Sequence, residues 1–271
     1  MASASELMRQ APQTAGRIDE LSATLLAHDP GVAILLTTTR ITTWLGPRSL
    51  TSASGFFFRT ATGLFLVTNR HVFADVPSSH FPDRIEIELH TDARDLTRYT
   101  VFSIPLYGGG LGLWRQASDI AGPMDVAMIR IEVERLPLCA VLQPFEAAHL
   151  DAAGEIVTIG DALTVIGFPL GFHDTVHHLA VARSAAVASA YGVRFQQQGC
   201  FLTDARTHRG SSGSPVLRRR RTAQPDDVSP RSWQLLGIHS TRMDMRTRDL
   251  QEDESLGLNC AWYADVLTTL A

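Results

Sequence analysis

Three short segments carry residue types that together perform acyl transfer. GLFLVTNRHVF sets His71 directly after an apolar run, MDVAMIRIE sets Asp125 at the head of another, and THRGSSGSPVL sets Ser212 in a glycine-flanked turn. A serine hydroxyl at its ordinary pKa is a poor nucleophile. A hydrogen-bonded imidazole takes its proton during attack and returns it to the leaving amine. A carboxylate on the far ring nitrogen fixes the imidazole tautomer and stabilises the imidazolium. The tetrahedral intermediate carries an oxyanion and needs donors already in place. Gly210, Ser211 and Ser212 are candidates for such a hole, since Gly210 tolerates a backbone that aims its N–H inward, next to that of Ser212. Each segment alone has an ordinary reading as a strand cap, a turn or a Gly/Ser loop. Together, in the order His, Asp, Ser and all at strand ends, they point to nucleophilic hydrolysis.

Rival assignments are weaker. Asp119, in SDIAG, is a second candidate acid, but Gly122 and Pro123 follow it and break a strand, whereas Val126–Ile131 continues Asp125 as one. His173, His177 and His178 would share one helical face, but Gly171 and the flanking β-like runs read as a loop, so no metal site and no cofactor is expected. Cys200, in an apolar run, reads as a core residue, and Phe56–Phe58 as strand packing. Arg218–Arg221, followed by TAQPDDVSP, reads as a solvated hairpin tip.

Composition narrows the chemistry further. All 24 basic residues are Arg, so Schiff-base, Walker-type and Ser–Lys mechanisms are excluded. That all-Arg complement also points to a GC-rich, bacterial genome. The net charge of −4 provides no global attraction to nucleic acid or anionic membrane. Three scattered cysteines, Cys139, Cys200 and Cys260, form no disulfide framework and no CxxC pair. With no apolar signal segment near residue 1 and no run of eighteen apolar residues, a cytoplasmic location is expected.

The elements that position these residues are short and β-rich. One set runs over residues 32–39, 54–60, 63–69, 84–90, 100–106 and 125–132, and a second over 163–169, 179–189, 193–203, 214–218, 233–240 and 256–263. Six strands twice, without βαβ alternation, predict an all-β chain of two antiparallel barrels. Residues 16–28 place Ile18, Leu21, Leu25 and Leu26 on one helical face, and 264–271 read as a closing helix. The expected division is an extension with a helix over 1–30, a first barrel over 31–145, and a second barrel with the C-terminal helix over 146–271.

TNRHV, DVAMI, GSSGSP, GIHS (237–240) and LNCAWYADVL (258–267) resemble the trypsin/chymotrypsin-like serine peptidases over nearly the whole chain. The texture is similar to the disulfide-free bacterial branch, with its HtrA-type catalytic domains and glutamyl endopeptidases. The resemblance implies a chymotrypsin-like double six-stranded antiparallel β-barrel with His71, Asp125 and Ser212 in the cleft between barrels. It also implies an oxyanion hole from the N–H groups of Gly210 and Ser212, and substrate pairing along the backbone of Ser240. The chain departs from the digestive enzymes in carrying Ser211 where they have Asp, so activation by a new N-terminus is not expected.

By the same resemblance, Thr207 and His239 would line the pocket for the residue before the cut bond. Arg242 would lie along the substrate path. A hydroxyl beside a histidine favours a carboxylate, so cleavage after Glu, then Asp, is expected. Substrates would be peptides or proteins. Restraint of such activity is left open between a regulatory protein partner, a narrow substrate range and an oxyanion hole unformed at rest. The alternative is an inactive or partner-activated peptidase fold used as a binding module. An α/β-hydrolase is a poorer match, because it needs G-x-S-x-G and the order Ser, Asp, His.

Overall fold

The computed structural model describes residues 30–151, 154–221, 223, 227, 230–242 and 257–270, with Pro30, Pro230, Thr241 and Arg242 by backbone alone. The expected helix over 16–28, and the 1–30 extension before Pro30, lie outside the described residues. The strands are β1 (Thr38–Leu45), β2 (Arg48–Thr60), β3 (Gly63–Thr68), β4 (Arg84–His90), β5 (Tyr99–Pro105), β6 (Tyr107–Gly108), β7 (Leu111–Gly112), β8 (Trp114–Asp119) and β9 (Gly122–Ile131). They continue as β10 (Ala162–Gly167), β11 (Val181–Ala186), β12 (Cys200–Thr203), β13 (Pro215–Arg219), β14 (Trp233–Arg242) and β15 (Asn259–Tyr263). Among the described residues four one-turn helices accompany them: α1 (Pro30–Ala33), α2 (Arg70–Phe73), α3 (Ala147–Leu150) and α4 (Leu267–Leu270).

Two antiparallel sheets result. The first has the order β5-β4-β1-β2-β3-β9-β8 and the second β11-β10-β13-β14-β15-β12, with β6 and β7 a separate ribbon. The first therefore has seven strands where six were expected. The extra one is β8, whose WRQASD sequence turns only Trp114 and Ala117 inward and shows no apolar alternation. The run at 32–39 also differs: α1 and a 3-10 turn over Leu35–Thr37 occupy most of it, and β1 begins only at Thr38. A short apolar run two residues after Pro30, which can open a helix, fits a helical turn as well as a strand. Within 193–203 only Cys200–Thr203 is strand, because Gln196 and Gln197 take positive φ in a turn.

The two-residue period of a strand explains how the sheets pack. In β2, Phe57 faces the interior of the first sheet, while Phe56 and Phe58 face a layer shared with the second. In β3, Leu64 and Leu66 face inward, and Phe65 and Val67 face the shared layer. From the second sheet, Ile166, Leu217, Leu235 and Ile238 enter that layer, while Leu163, Val165, Val216 and Leu236 fill its own interior. Strands buried on both faces read as continuous apolar runs, which is why FFF and GLFLV are unbroken. α4 adds Leu267 and Leu270 to the shared layer, and Arg115 of β8 donates to the Leu270 carbonyl at 2.7 Å.

The expected solvated tip at Arg218–Arg221 is corrected at its start. Arg218 sits in β13 only 3% exposed. Its guanidinium donates to Asp161 Oδ2 at 3.1 Å, Glu155 Oε2 at 3.2 Å and Gln234 Oε1 at 2.7 Å. Burial works against the Asp161 charge, but donors from Thr158, Arg218 and Arg221 outweigh it and hold the carboxyl down to about 2. Removing one partner of a buried pair strands the other charge. Arg218→Ala is therefore expected to cost about 3 kcal/mol, read as a lower denaturant midpoint with an unchanged slope.

Candidate active site

His71 is the second residue of α2, two past the N-cap Asn69 that follows the end of β3 at Thr68. The buried Val72 and Phe73 anchor that turn in the first sheet's interior, leaving the His71 ring half-exposed. β3 pairs with β9 so that Thr68 faces Ala127. Continuing that register by two residues sets the start of α2 beside Asp125. Met124 and Val126 turn into the shared layer, so Asp125 projects to the opposite side. Its Oδ2 meets His71 Nδ1 at 2.7 Å, its Oδ1 accepts the His71 backbone N–H at 2.9 Å, and Asn69 Nδ2 donates to its carbonyl at 2.7 Å. Ser240 of β14 donates its hydroxyl to Asp125 Oδ2, also at 2.7 Å. Burial opposes the Asp125 charge, yet the bonds from His71 and Ser240 outweigh it and hold the carboxyl below its ordinary value. Asp119, the rival acid, is taken instead by Arg194 at 2.6 Å and the Ala121 N–H at 2.7 Å.

Ser212 lines one open cleft with His71, Gly210, Arg209, Leu170 and Thr51. Its turn is fixed from both sheets. Ser54 N–H donates to the Ser212 carbonyl at 3.0 Å, and Gly213 N–H to the His239 carbonyl at 2.9 Å. Gly210 and Gly213 have φ of +90° and +84°, and a Cβ on Gly213 would lie 2.2 Å from the Ser54 carbonyl oxygen. The Leu170 N–H donates to the Arg209 carbonyl at 2.5 Å, which turns the trans peptide's other side, the Gly210 N–H, away from it. Among the described residues neither the Gly210 nor the Ser212 N–H has a protein acceptor, and the Ser212 hydroxyl makes no hydrogen bond.

A family model for the trypsin-like peptidase domain matches residues 53–222. The chain belongs to the trypsin-like peptidase family. No curated protein matches this peptidase by sequence. Among solved structures it is similar to the serine endoprotease from Yersinia pestis, at 15% identity and a TM-score of 0.52, over 89% of this chain and 64% of that one. The Rv3671c protease from M. tuberculosis in its active form is similar at 16% identity and a TM-score of 0.48, over 91% of this chain and 84% of that one. The chain thus spans about 64% of the Yersinia structure's length. The first likeness is one of fold: the two sheets are the halves of a chymotrypsin-like double barrel, seven- and six-stranded.

The expected pocket residues differ in their surroundings. Thr207 is buried, donates its hydroxyl to Asn259 Oδ1 at 2.8 Å, and lines a cavity with Arg206, His208 and Leu258. His239 is 2% exposed, pairs with Ala261 across β14 and β15, and does not line that cavity. Arg242 ends β14, and its side chain lies outside the described residues. The β14–β15 register skips from His239 to Arg242, past Ser240.

Two residues of the site went unseen in the sequence. The Ser54 hydroxyl donates to the Gly210 carbonyl at 2.7 Å and accepts the Phe168 N–H at 2.9 Å, tying β2 to both loops of the second sheet. Leu170 braces Arg209 through its backbone with φ at +56°. Ser54 stands in SASGFFF and Leu170 in FPLGF, and neither carries a signal at sequence level. The fuller role of Ser240, bonding Asp125 through its hydroxyl, was also not anticipated.

Burial first, and the neighbouring His71 imidazole second, push His239 down to about 4 from 6.5. The unfolded chain therefore takes up a proton at this residue below pH 6.5, while the folded chain does so only near pH 4. Stability falls as pH drops through that window, by roughly 3 kcal/mol from this one group. The melting temperature of the wild type is expected to drop steadily from pH 6.5 to pH 4, and His239→Gln to flatten that slope.

Proposed function

We propose that this peptidase hydrolyses peptide bonds in peptide or protein substrates through Ser212, His71 and Asp125. The observation that carries the reading is the 2.7 Å contact of His71 Nδ1 with Asp125 Oδ2, in a cleft that Ser212 shares with His71. In this reading His71 Nε2 takes the Ser212 proton as Oγ bonds to the carbonyl carbon. The C–N bond then breaks, His71 returns the proton to the leaving amine, and water repeats the cycle on the acyl-enzyme. The Gly210 and Ser212 N–H groups, without an acceptor among the described residues, receive the oxyanion. The Asp125 charge, supported by Ser240 as well as His71, stabilises the imidazolium.

Preference for an acidic residue before the cut bond belongs to the same proposal. Among the described residues His239 Nδ1 is buried without a hydrogen-bond partner, and burial keeps its ring neutral in the free protein. A substrate carboxylate reaching it draws a proton onto the ring, pairing two groups that are each costly to bury alone.

Peptides carrying Glu, Asp, Leu or Arg at that position test both parts. Ser212→Ala is expected to remove turnover by at least roughly 10³-fold with unchanged melting, and Asp125→Asn to slow it on the order of 10⁴-fold. A folded wild type that turns over none of these peptides would favour the binding-module alternative. His239→Ala is expected to lower kcat/KM for the Glu peptide roughly tenfold more than for the Leu peptide. Equal losses would remove His239 from the pocket and leave the triad reading intact.

A further inference from the structure

The loop between β10 and β11 carries three histidines, and the structure sorts them. His177 turns to Asp174, with Nδ1 2.7 Å from Oδ2. His173 and His178 instead meet Glu88, which arrives from β4 of the first sheet. One ligand atom from each of Glu88, His173 and His178 lies within 4.8 Å of the other two. We propose that these three residues bind a divalent transition ion of the zinc type, clasping the 168–180 segment of the second barrel to β4 of the first.

The arrangement is prepared for a ligand role. The His178 Nδ1 to Glu88 Oε2 distance is 3.1 Å. Two N or O ligands about 2.0–2.1 Å from a tetrahedral ion stand roughly 3.3 Å apart, so little movement is needed. Arg40 pairs with the other carboxylate oxygen and leaves Oε2 as a single oxygen ligand. The His173 Nδ1–H donates to the Gly171 carbonyl at 2.6 Å, which leaves Nε2 as the nitrogen with a lone pair. The His178 ring stacks on Tyr99 at 3.6 Å between centroids, and its side chain is only 12% exposed. His178 also holds φ at +54°, a costly conformation for a residue with a Cβ. Two imidazoles and one carboxylate suit zinc, cobalt or nickel better than calcium or magnesium. Three protein ligands leave a fourth position for water.

The test uses the full chain carrying Ser212→Ala, so that self-digestion plays no part and the outcome is independent of the proposed catalysis. After chelator treatment, Co²⁺ is titrated with visible ligand-field absorption as the readout, and Zn²⁺ by calorimetry. One equivalent is expected to bind, with Zn²⁺ raising the melting temperature and slowing amide exchange over 168–180. His173→Ala and His178→Ala are each expected to weaken binding by roughly tenfold or more, and His177→Ala to leave it unchanged. Melting of each variant without metal verifies that it folds. Absence of saturable binding, binding unaffected by the His173 and His178 substitutions, or an equal loss in His177→Ala would overturn the site.

Discussion

The apolar layer between the two sheets is the constraint on which the site depends. Phe56, Phe58, Phe65 and Val67 from the first sheet meet Ile166, Leu217, Leu235 and Ile238 from the second. His71 and Asp125 stand on one side of that layer and Ser212 on the other, so their separation is only as well defined as its packing. Close-packed interiors transmit small volume changes as displacement. A truncation in this layer acts on the cleft even though no side chain of the layer enters it.

A polar seam runs along the edge of the apolar one. The Ser54 hydroxyl holds the Gly210 carbonyl and the Phe168 N–H, its backbone N–H holds the Ser212 carbonyl, and Thr68 Oγ1 donates to the Ser54 carbonyl at 2.8 Å. Every polar group of this one buried residue joins a strand of the first barrel to a loop of the second or to its neighbour strand. Leu170 completes the seam by fixing the Arg209 carbonyl. In the proposed mechanism, the donors that would meet an oxyanion derive from hydrogen bonds two steps removed from the chemistry, and such preorganisation is where electrostatic catalysis gains most.

Much of this was legible in the sequence, for physical reasons that can be named. Strands buried on one face or both leave runs such as RIEIELH and GLFLVT, and fifteen observed strands include counterparts of nearly all the expected ones. His71, Asp125 and Ser212 stand out because strand-end placement and flanking glycines are local properties. β8 was missed because WRQASD buries too few side chains to alternate. Arg218 was misread because a run of four arginines looks solvated, while its partners Glu155, Asp161 and Gln234 come from other segments. Ser54, Leu170 and the meeting of Glu88 with His173 and His178 depend on contacts between distant segments, which no window of sequence contains.

Whether both barrels build one nucleophilic site is read most directly by active-site labelling. The intact chain is incubated with a fluorophosphonate, weighed by mass spectrometry and mapped by peptides. One equivalent of adduct is expected, carried by Ser212 and lost in His71→Ala. A folded chain that stays unlabelled, or that is labelled equally well without His71, would contradict it.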